Sequence, residues 1–137
     1  MTTNIDHTTP RRSRLWTAGA AITALLGLLF AFDSIPKILG VPFAREATEA
    51  LGYSPDKTAV IGWVLLVCLA VFLIPRTAVL GALGLTAYLG GAVTMNLHAD
   101  KPLAGFVLSA VYVGVLMWIG LILRRPELLR VLGLRRN

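Results

Sequence analysis

Cysteine is almost absent from this chain of 137 residues: Cys68 is the single one. One thiol cannot form an intramolecular disulfide, a CxxC redox pair or a thiolate metal cluster. The sequence also has no HExxH motif and no cluster of acidic residues that would bind a metal, and no serine nucleophile is positioned beside His98 and Asp100. These absences predict no metal cofactor and argue against a complete catalytic set, so the sequence favours a protein that is not an enzyme.

Charge is scarce as well. Charged residues make up 15% of the chain and hydrophobic residues 56%, whereas soluble domains are about 25% charged. The composition therefore predicts an integral membrane protein, with the lipid bilayer as its surroundings. The net charge of +6 would suggest a nucleic-acid partner in a soluble protein, but here the basic residues flank apolar runs. We expect no nucleic-acid partner.

The apolar residues fall into four runs, each close to the roughly 20 residues that cross the hydrocarbon core. Ser54-Pro55-Asp56 is typical of a helix start, with a cap, a proline and an acid in order. The predicted spans are about 15–38, 55–74, 77–97 and 102–124. Because only Pro75 and Arg76 separate the second and third spans, these two helices should form an antiparallel hairpin. The predicted fold class is an all-α, integral membrane four-helix bundle.

The distribution of lysine and arginine gives the orientation, because cytoplasmic segments carry the excess of positive charge. Four basic residues fall on one side: Lys37, Arg45, Lys57 and Lys101. Nine fall on the other: Arg11, Arg12, Arg14, Arg76, Arg124, Arg125, Arg130, Arg135 and Arg136. The prediction is a multi-pass protein of the cytoplasmic (inner) membrane with both termini in the cytoplasm.

Three segments outside the spans have predicted roles. Residues 1–14 are polar and basic and should form a disordered cytoplasmic tail. Residues 125–137 mix arginines with leucines and should form a basic amphipathic tail on the inner leaflet. The first exterior loop contains Pro42, which can start a helix, and Gly52, which can end one. A short amphipathic helix is predicted there, lying on the bundle mouth or in the membrane interface, with an apolar face of Phe43, Ala47, Ala50 and Leu51.

Small residues form stripes along two of the predicted helices. Helices associate in lipid through small side chains that allow close backbone approach. The first helix carries Gly19, Thr23 and Gly27 at four-residue spacing, and the third carries Gly84, Ala87 and Gly91 within a narrow arc. We interpret both stripes as packing faces.

The few polar residues near the membrane gather toward the exterior ends of the helices. Asp33 and Lys37 are spaced for a helical ion pair at the end of the first helix. Tyr88, Thr94, Asn96 and His98 lie toward the end of the third helix. Ionisable groups at such depth are candidates for a functional site. These six residues are therefore predicted to form a polar pocket; the alternative is that they are ordinary helix ends at the interface.

A haem group is not expected. The two histidines of the chain, His7 and His98, fall on opposite sides of the membrane in the predicted topology. Bis-histidine ligation would need both on one side. The identity of any cofactor stays open, with a quinone as the one considered, because a neutral histidine could bind a quinone carbonyl.

Five short motifs are distinctive: Ile74-Pro75-Arg76-Thr77-Ala78, Gly81-Ala82, Tyr88-Leu89-Gly90-Gly91-Ala92-Val93, Lys37-Ile38-Leu39-Gly40 and Ala50-Leu51-Gly52-Tyr53. In their order and spacing they resemble the DoxX-like family of small bacterial four-helix membrane proteins. The likeness covers most of the chain from about Leu25 to Pro102. It implies a four-helix bundle in the cytoplasmic membrane and a family most of whose members have no assigned activity. Named relatives are linked to quinone-coupled sulfur oxidation and to membrane complexes that handle oxidative stress, usually as subunits with partners.

This sequence departs from the resemblance at two places. Many members carry a glutamate in the second helix where this chain has Leu65. Many also carry a histidine and then an arginine where this chain has Asn96 and His98. If those groups hold the family's chemistry, it is weakened or relocated here.

Three functions are compatible with the sequence. The first is a non-catalytic subunit or anchor of a membrane redox complex, with a redox enzyme or a second copy of the chain as its partner. The second is a quinone-binding redox subunit whose site lies at the outer mouth of the bundle. The third is a transporter of small molecules or lipids, which the absence of a clear internal repeat disfavours. An anchor should be filled by apolar side chains, whereas the other two functions require a pocket.

Overall fold

The computed structural model describes the backbone of residues 10–135 and the side chains of residues 13–135. Across that range the ordered elements are all helical. They are α1 (Pro10–Leu39), α2 (Pro42–Ala50), α3 (Lys57–Leu73), α4 (Ala78–His98), a π-helical turn (Leu103–Val107) that runs into α5 (Leu108–Arg124), and α6 (Leu128–Val131). His7 and most of the predicted N-terminal tail lie outside the described residues.

Three of the helices are long and apolar enough to cross a membrane. They are the segments Ser13–Leu39, Ala78–His98 and Leu103–Arg124, of 27, 21 and 22 residues. Helix α3 is equally apolar but has 17 residues, which corresponds to about 25 Å at 1.5 Å per residue. The chain therefore has the architecture of a helical membrane protein, with one helix shorter than the other three.

Two helix starts differ from the predicted ones. Helix α1 begins at Pro10 rather than at residue 15, because proline suits the first turn of a helix and arginine is a good helix former. Helix α3 begins at Lys57 rather than Pro55. The amide of Lys57 donates to the carbonyl of Ser54 at 3.0 Å, so residues 54–57 form a tight turn before the helix.

The four long helices form a ring. Helix α1 packs against α3 and α5, and α4 packs against the same two helices from the opposite side. Side chains from α3, α4 and α5 fill the centre, and the largest fully buried ones are Phe72, Leu65, Leu85, Met117 and Leu121. The core is thus apolar and lies on the axis of the ring.

The ring is tightest near the turn that joins α3 to α4, which we call the turn end. A Cβ on Gly81 would clash with the backbone of Phe72, and one on Gly19 would come within 2.6 Å of the Gly120 carbonyl oxygen. At the opposite end of α4, a Cβ on Gly90 or Gly91 would meet nothing within 4 Å. The helices of the pair α3–α4 therefore separate from the turn end toward the other end, which we call the open end.

Hydrogen bonds from two side chains secure the turn end. Pro75 has no N–H, so the carbonyl of Val71 cannot receive its usual helical hydrogen bond. The hydroxyl of Thr77 donates to that carbonyl at 2.8 Å instead. The guanidinium of Arg125 donates to the carbonyl of Pro75, which ties the end of α5 to the same turn.

Helix α2 lies at the position of the predicted short helix, with one side against the bundle. The side that contacts the bundle carries Ala44 and Thr48, both buried, whereas Phe43 is 78% exposed. Phe43, a member of the predicted apolar face, therefore lies on the side of α2 away from the bundle. The chain enters α2 through Gly40, which has a φ of +66°, and this turn determines which side of α2 faces α1 and α3.

The segment after α5 turns back onto the bundle. Leu128 of α6 is buried in the core, whereas Val131 and Leu134 are exposed. The predicted amphipathic tail, residues 125–137, is described as far as residue 135.

Candidate functional site

A cavity of about 590 Å³ occupies the open end of the ring. Helices α1, α3, α4 and α5 form its walls, and α2 with the following Tyr53 lies over it. Most of the wall is apolar, with side chains such as Phe30, Ile61, Leu89 and Val113. The cavity exists because the helices separate here, whereas at the turn end the same helices are in contact through glycine.

Three polar side chains from two helices meet in the cavity wall. The ammonium group of Lys37 donates to the Asp33 carboxylate at 2.5 Å and to the Tyr88 hydroxyl oxygen at 3.3 Å. The Lys37 side chain is 18% exposed and the Asp33 side chain is 50% exposed. The carboxylate thus compensates the charge of a mostly buried ammonium group, and Tyr88 links this pair on α1 to α4.

The approach of α3 to α1 positions Lys37. A Cβ on Gly62 of α3 would come within 2.8 Å of the Lys37 Cβ and 2.9 Å of the Ser34 carbonyl oxygen. Only glycine allows α3 to lie this close to α1 at the level of Lys37. With α3 behind it, the lysine side chain extends toward Tyr88 and the cavity. The role of Gly62 was not predicted from the sequence, although a glycine inside an apolar helix is itself a signal of close packing.

The lysine and the tyrosine retain donors that the protein does not use. An ammonium group has three N–H donors, and the hydrogen bonds to Asp33 and Tyr88 use two of them. The Tyr88 hydroxyl accepts from Lys37, and among the described residues its own O–H has no recorded acceptor. Both groups line the cavity. The site can therefore present two donors to a hydrogen-bond acceptor inside an apolar space.

The structure brings together four of the six predicted pocket residues. Asp33, Lys37, Tyr88 and Asn96 line the cavity. Thr94 and His98 do not line it and are exposed. Thr94 lies two residues before Asn96, which turns it about 200° away around the helix. His98 is the last residue of α4, so it lies beyond the cavity wall.

The amide of Asn96 has a defined local partner. Its Nδ2 donates to the Ala92 carbonyl at 2.8 Å, one turn back on α4. The hydroxyl of Thr94 makes the same type of bond, to the Gly90 carbonyl at 3.0 Å. Asn96 keeps its side-chain oxygen as an acceptor at the cavity wall, whereas Thr94 has no comparable role there.

The two predicted packing stripes have different surroundings in the structure. Gly19, Thr23 and Gly27 are buried on α1. On α4, a Cβ added to Gly84 would lie 3.0 Å from the Cys68 sulfur. Ala87 and Gly91 instead line the cavity and are exposed. The stripe on α4 is therefore a packing face at the turn end and a cavity wall at the open end.

Several cavity residues were not predicted from the sequence. The most important are Ala47, Thr48 and Leu51, which cover the cavity, and Tyr53 and Phe106 at its margin. Leu65 is fully buried in the core and does not line the cavity. The polar character of the cavity wall therefore comes mainly from α1 and α4.

The fold and the cavity define a class: a helical membrane-type bundle with a polar cluster in an otherwise apolar cavity. The model of the DoxX-like family matches residues 21–120, which include α2, α3 and α4 and the greater parts of α1 and α5. The chain belongs to the DoxX-like family. Searches of curated proteins and of solved structures gave no match.

Proposed function

We propose that the chain crosses the cytoplasmic membrane of a bacterium four times, with both termini in the cytoplasm. Helix α3 becomes long enough to span when the turn at residues 54–56 and Ile74 are added to its 17 residues, because small mismatches in length are accommodated at modest cost. The turn end carries Arg76, Arg124 and Arg125, and an excess of positive charge is typical of the cytoplasmic side. In this orientation the cavity lies toward the outer face.

We infer that the cavity binds a lipophilic small molecule whose head group accepts hydrogen bonds, and that a quinone is the class that fits best. The observation that carries this inference is the position of Lys37. Its ammonium group joins Asp33 and Tyr88 in the wall of an apolar cavity of about 590 Å³. A volume of this size is in the range of small-molecule sites, which combine apolar walls with a few placed polar groups.

The free donors of Lys37 and Tyr88 indicate which ligand head group the cavity can bind. A quinone carbonyl oxygen can accept from the free N–H of Lys37 and from the O–H of Tyr88. The apolar ring and tail can pack against walls formed by side chains such as Phe30, Ile61 and Val113. Because these two donors lie on different helices, a bound carbonyl would join α1 to α4.

The proposed role is a quinone-holding subunit of a membrane redox complex. The residues of this chain bind and orient the head group, and a partner enzyme carries out electron transfer. A plain anchor needs no cavity, since apolar side chains would fill the space between its helices. The cavity at the open end therefore favours ligand binding over anchoring alone.

Equilibrium binding of a radiolabelled decyl-substituted benzoquinone to the full-length protein in nanodiscs tests this proposal, with empty nanodiscs as the background. Lys37→Met removes a charged donor, and such hydrogen bonds contribute about 1.5–3 kcal/mol, so Kd should rise by at least about tenfold. Tyr88→Phe removes a neutral donor and should raise Kd by roughly fivefold, from about 1 kcal/mol.

The matched controls make the same two side-chain changes at residues outside the cavity. Lys57→Met and Tyr112→Phe alter exposed residues that do not line the cavity, and they should leave Kd unchanged. An unchanged Kd in Lys37→Met and Tyr88→Phe would contradict the proposal, as would the absence of saturable binding by the unmodified protein.

A further inference from the structure

Helices α3 and α4 are separated by a gap over the half of the hairpin that lies away from their turn. At the turn end the two helices touch, and a Cβ on Gly84 would lie 3.0 Å from the Cys68 sulfur. Two turns further along α4, an added Cβ on Gly91 would meet no atom within 4 Å. The hairpin is therefore closed at its turn and open along its other half.

The cavity reaches into this gap. Val60 and Val64, one turn apart on α3, line the cavity and are 57% and 49% exposed. Ala87 and Gly91, one turn apart on α4, also line it and are exposed. Residues four apart share one face of a helix, so the outward edges of both helices border the cavity. Its wall is thus interrupted on the side that faces lipid.

The end of the cavity is covered by a different element. Ala47, Thr48 and Leu51 of α2 line the cavity, and Thr48 is buried. Helix α2 contacts both α1 and α3, and Tyr53 continues the cover toward α3. On the side of α1 and α3, helix α2 therefore obstructs the route along the bundle axis toward water. The route sideways between α3 and α4 is bordered by two valines, an alanine and a glycine.

We propose that the ligand enters and leaves the cavity from within the bilayer, through the gap between α3 and α4. This proposal rests on the proposed function and specifies how the site is filled and which ligands it takes. The head group reaches Lys37 and Tyr88 inside the ring, and an apolar tail lies in the gap against Val60, Val64 and Gly91. The ligand class is therefore a molecule dissolved in the membrane, with a polar head and an apolar chain.

The chemistry of the gap supports this direction of entry. The side chains of Val60, Val64 and Ala87 offer no hydrogen bond, so passage of an apolar tail breaks none. Asp33 and Lys37 lie on α1, away from the gap, so the charged pair need not separate when a ligand passes. Loading from lipid also allows α2 to stay in place over the cavity.

The test is the rate at which a photoreactive azido-decylbenzoquinone labels the full-length protein in proteoliposomes, with light flashes at successive times after addition of the probe. Val64→Trp places a large side chain at the gap and should slow labelling by about tenfold or more, as expected for a steric barrier. The rate is measured as the approach to each variant's own final extent of labelling, because Val64 also contacts the proposed tail and the extent reports on binding rather than entry.

Val67→Trp is the matched control, since Val67 lies on the same helix, is 58% exposed and does not line the cavity. The probe should label the Val67→Trp variant as fast as it labels the unmodified protein. A second pair serves if Val64→Trp fails to fold: Gly91→Leu should slow labelling and Gly90→Leu should not. Both glycines have open space around an added Cβ, and only Gly91 lines the cavity.

The outcomes separate this proposal from the proposed function. Labelling that depends on Lys37 but proceeds at the same rate in Val64→Trp and Gly91→Leu would overturn lateral entry and leave the binding site standing. Labelling of the unmodified protein that Lys37→Met does not reduce would overturn the site itself. Entry from water would be indicated if a sulfonated, membrane-impermeant azidobenzoquinone labelled the cavity residues.

Discussion

Lys37 is the residue on which the account depends most. Its charge is compensated by Asp33 on the same helix, and its contact with Tyr88 crosses from α1 to α4. The first interaction could be predicted from the sequence, because residues four apart on a helix are neighbours. The second could not, because 51 residues separate the partners and only the packing of α3 against α1 at Gly62 sets the direction of the lysine side chain.

Two glycines of α4 also differ in a way that the structure shows and the sequence does not. Gly81 and Gly90 look alike in the sequence, as single small residues of one apolar helix. In the structure a Cβ on Gly81 would clash with the backbone of Phe72, whereas Gly90 has open space. The difference comes from the neighbouring helix, which no local pattern specifies.

Alanine at these two glycines should have opposite effects on stability. Gly81→Ala forces α3 and α4 apart and should cost about 1–3 kcal/mol, as overpacking does. Gly90→Ala meets no atom and should stabilise the helix by up to about 1 kcal/mol, because alanine loses less backbone entropy than glycine. Thermal unfolding of the two variants in the same detergent measures this. Equal melting temperatures would contradict the packing described for the turn end.

At the scale of elements, composition and periodicity predicted most of the fold. The apolar runs are helices, and the short connection at Pro75 and Arg76 is a turn between antiparallel neighbours. The starts of α1 and α3 differ from the predicted ones, and the sequence left open which side of α2 packs on the bundle. Each depends on contacts outside the element: the turn at residues 54–57 precedes α3, and the turn at Gly40 orients α2.

The hairpin turn gives a second stability prediction. Thr77→Val removes the hydroxyl that satisfies the partly buried Val71 carbonyl and should destabilise the protein by about 1 kcal/mol, a typical net contribution of one hydrogen bond. Thr77→Ser keeps the hydroxyl and should restore most of the loss. Thr94→Val is the control, since its hydroxyl bonds only within α4 and is exposed. Similar losses in Thr77→Val and Thr94→Val would show that the turn does not depend on this bond.

At the scale of the whole molecule, the ring of four helices is closed at the turn end and open at the other. The cavity follows from this asymmetry. A polar pocket at this end could be predicted from the sequence, but the separation of α3 from α4 that opens it could not, because it depends on how the helices pack. The sequence did predict that polar groups collect toward one end. The proposed topology places that end outside, and the arginine-rich turn end in the cytoplasm.

Single cysteines can test the topology. In a Cys68→Ala background, Glu46→Cys on α2 should react with a membrane-impermeant maleimide in intact spheroplasts. Ser13→Cys and Arg130→Cys should react only after the membrane is permeabilised, because both termini are expected on the cytoplasmic side. All three positions are exposed, so a lack of reaction reflects the membrane rather than burial. Reaction of Ser13→Cys and Arg130→Cys from opposite sides would contradict an even number of spans.

The central claim is that the open end of the bundle holds a lipophilic ligand at Lys37 and Tyr88. Mass-spectrometric mapping of the residues labelled by azido-decylbenzoquinone tests it most directly. The account predicts label on cavity residues of α1 and α4, centred on Tyr88, and its loss when excess unlabelled decylbenzoquinone competes. Label spread over lipid-facing residues such as Leu25, Leu28 and Val115, undiminished by the competitor, would contradict it.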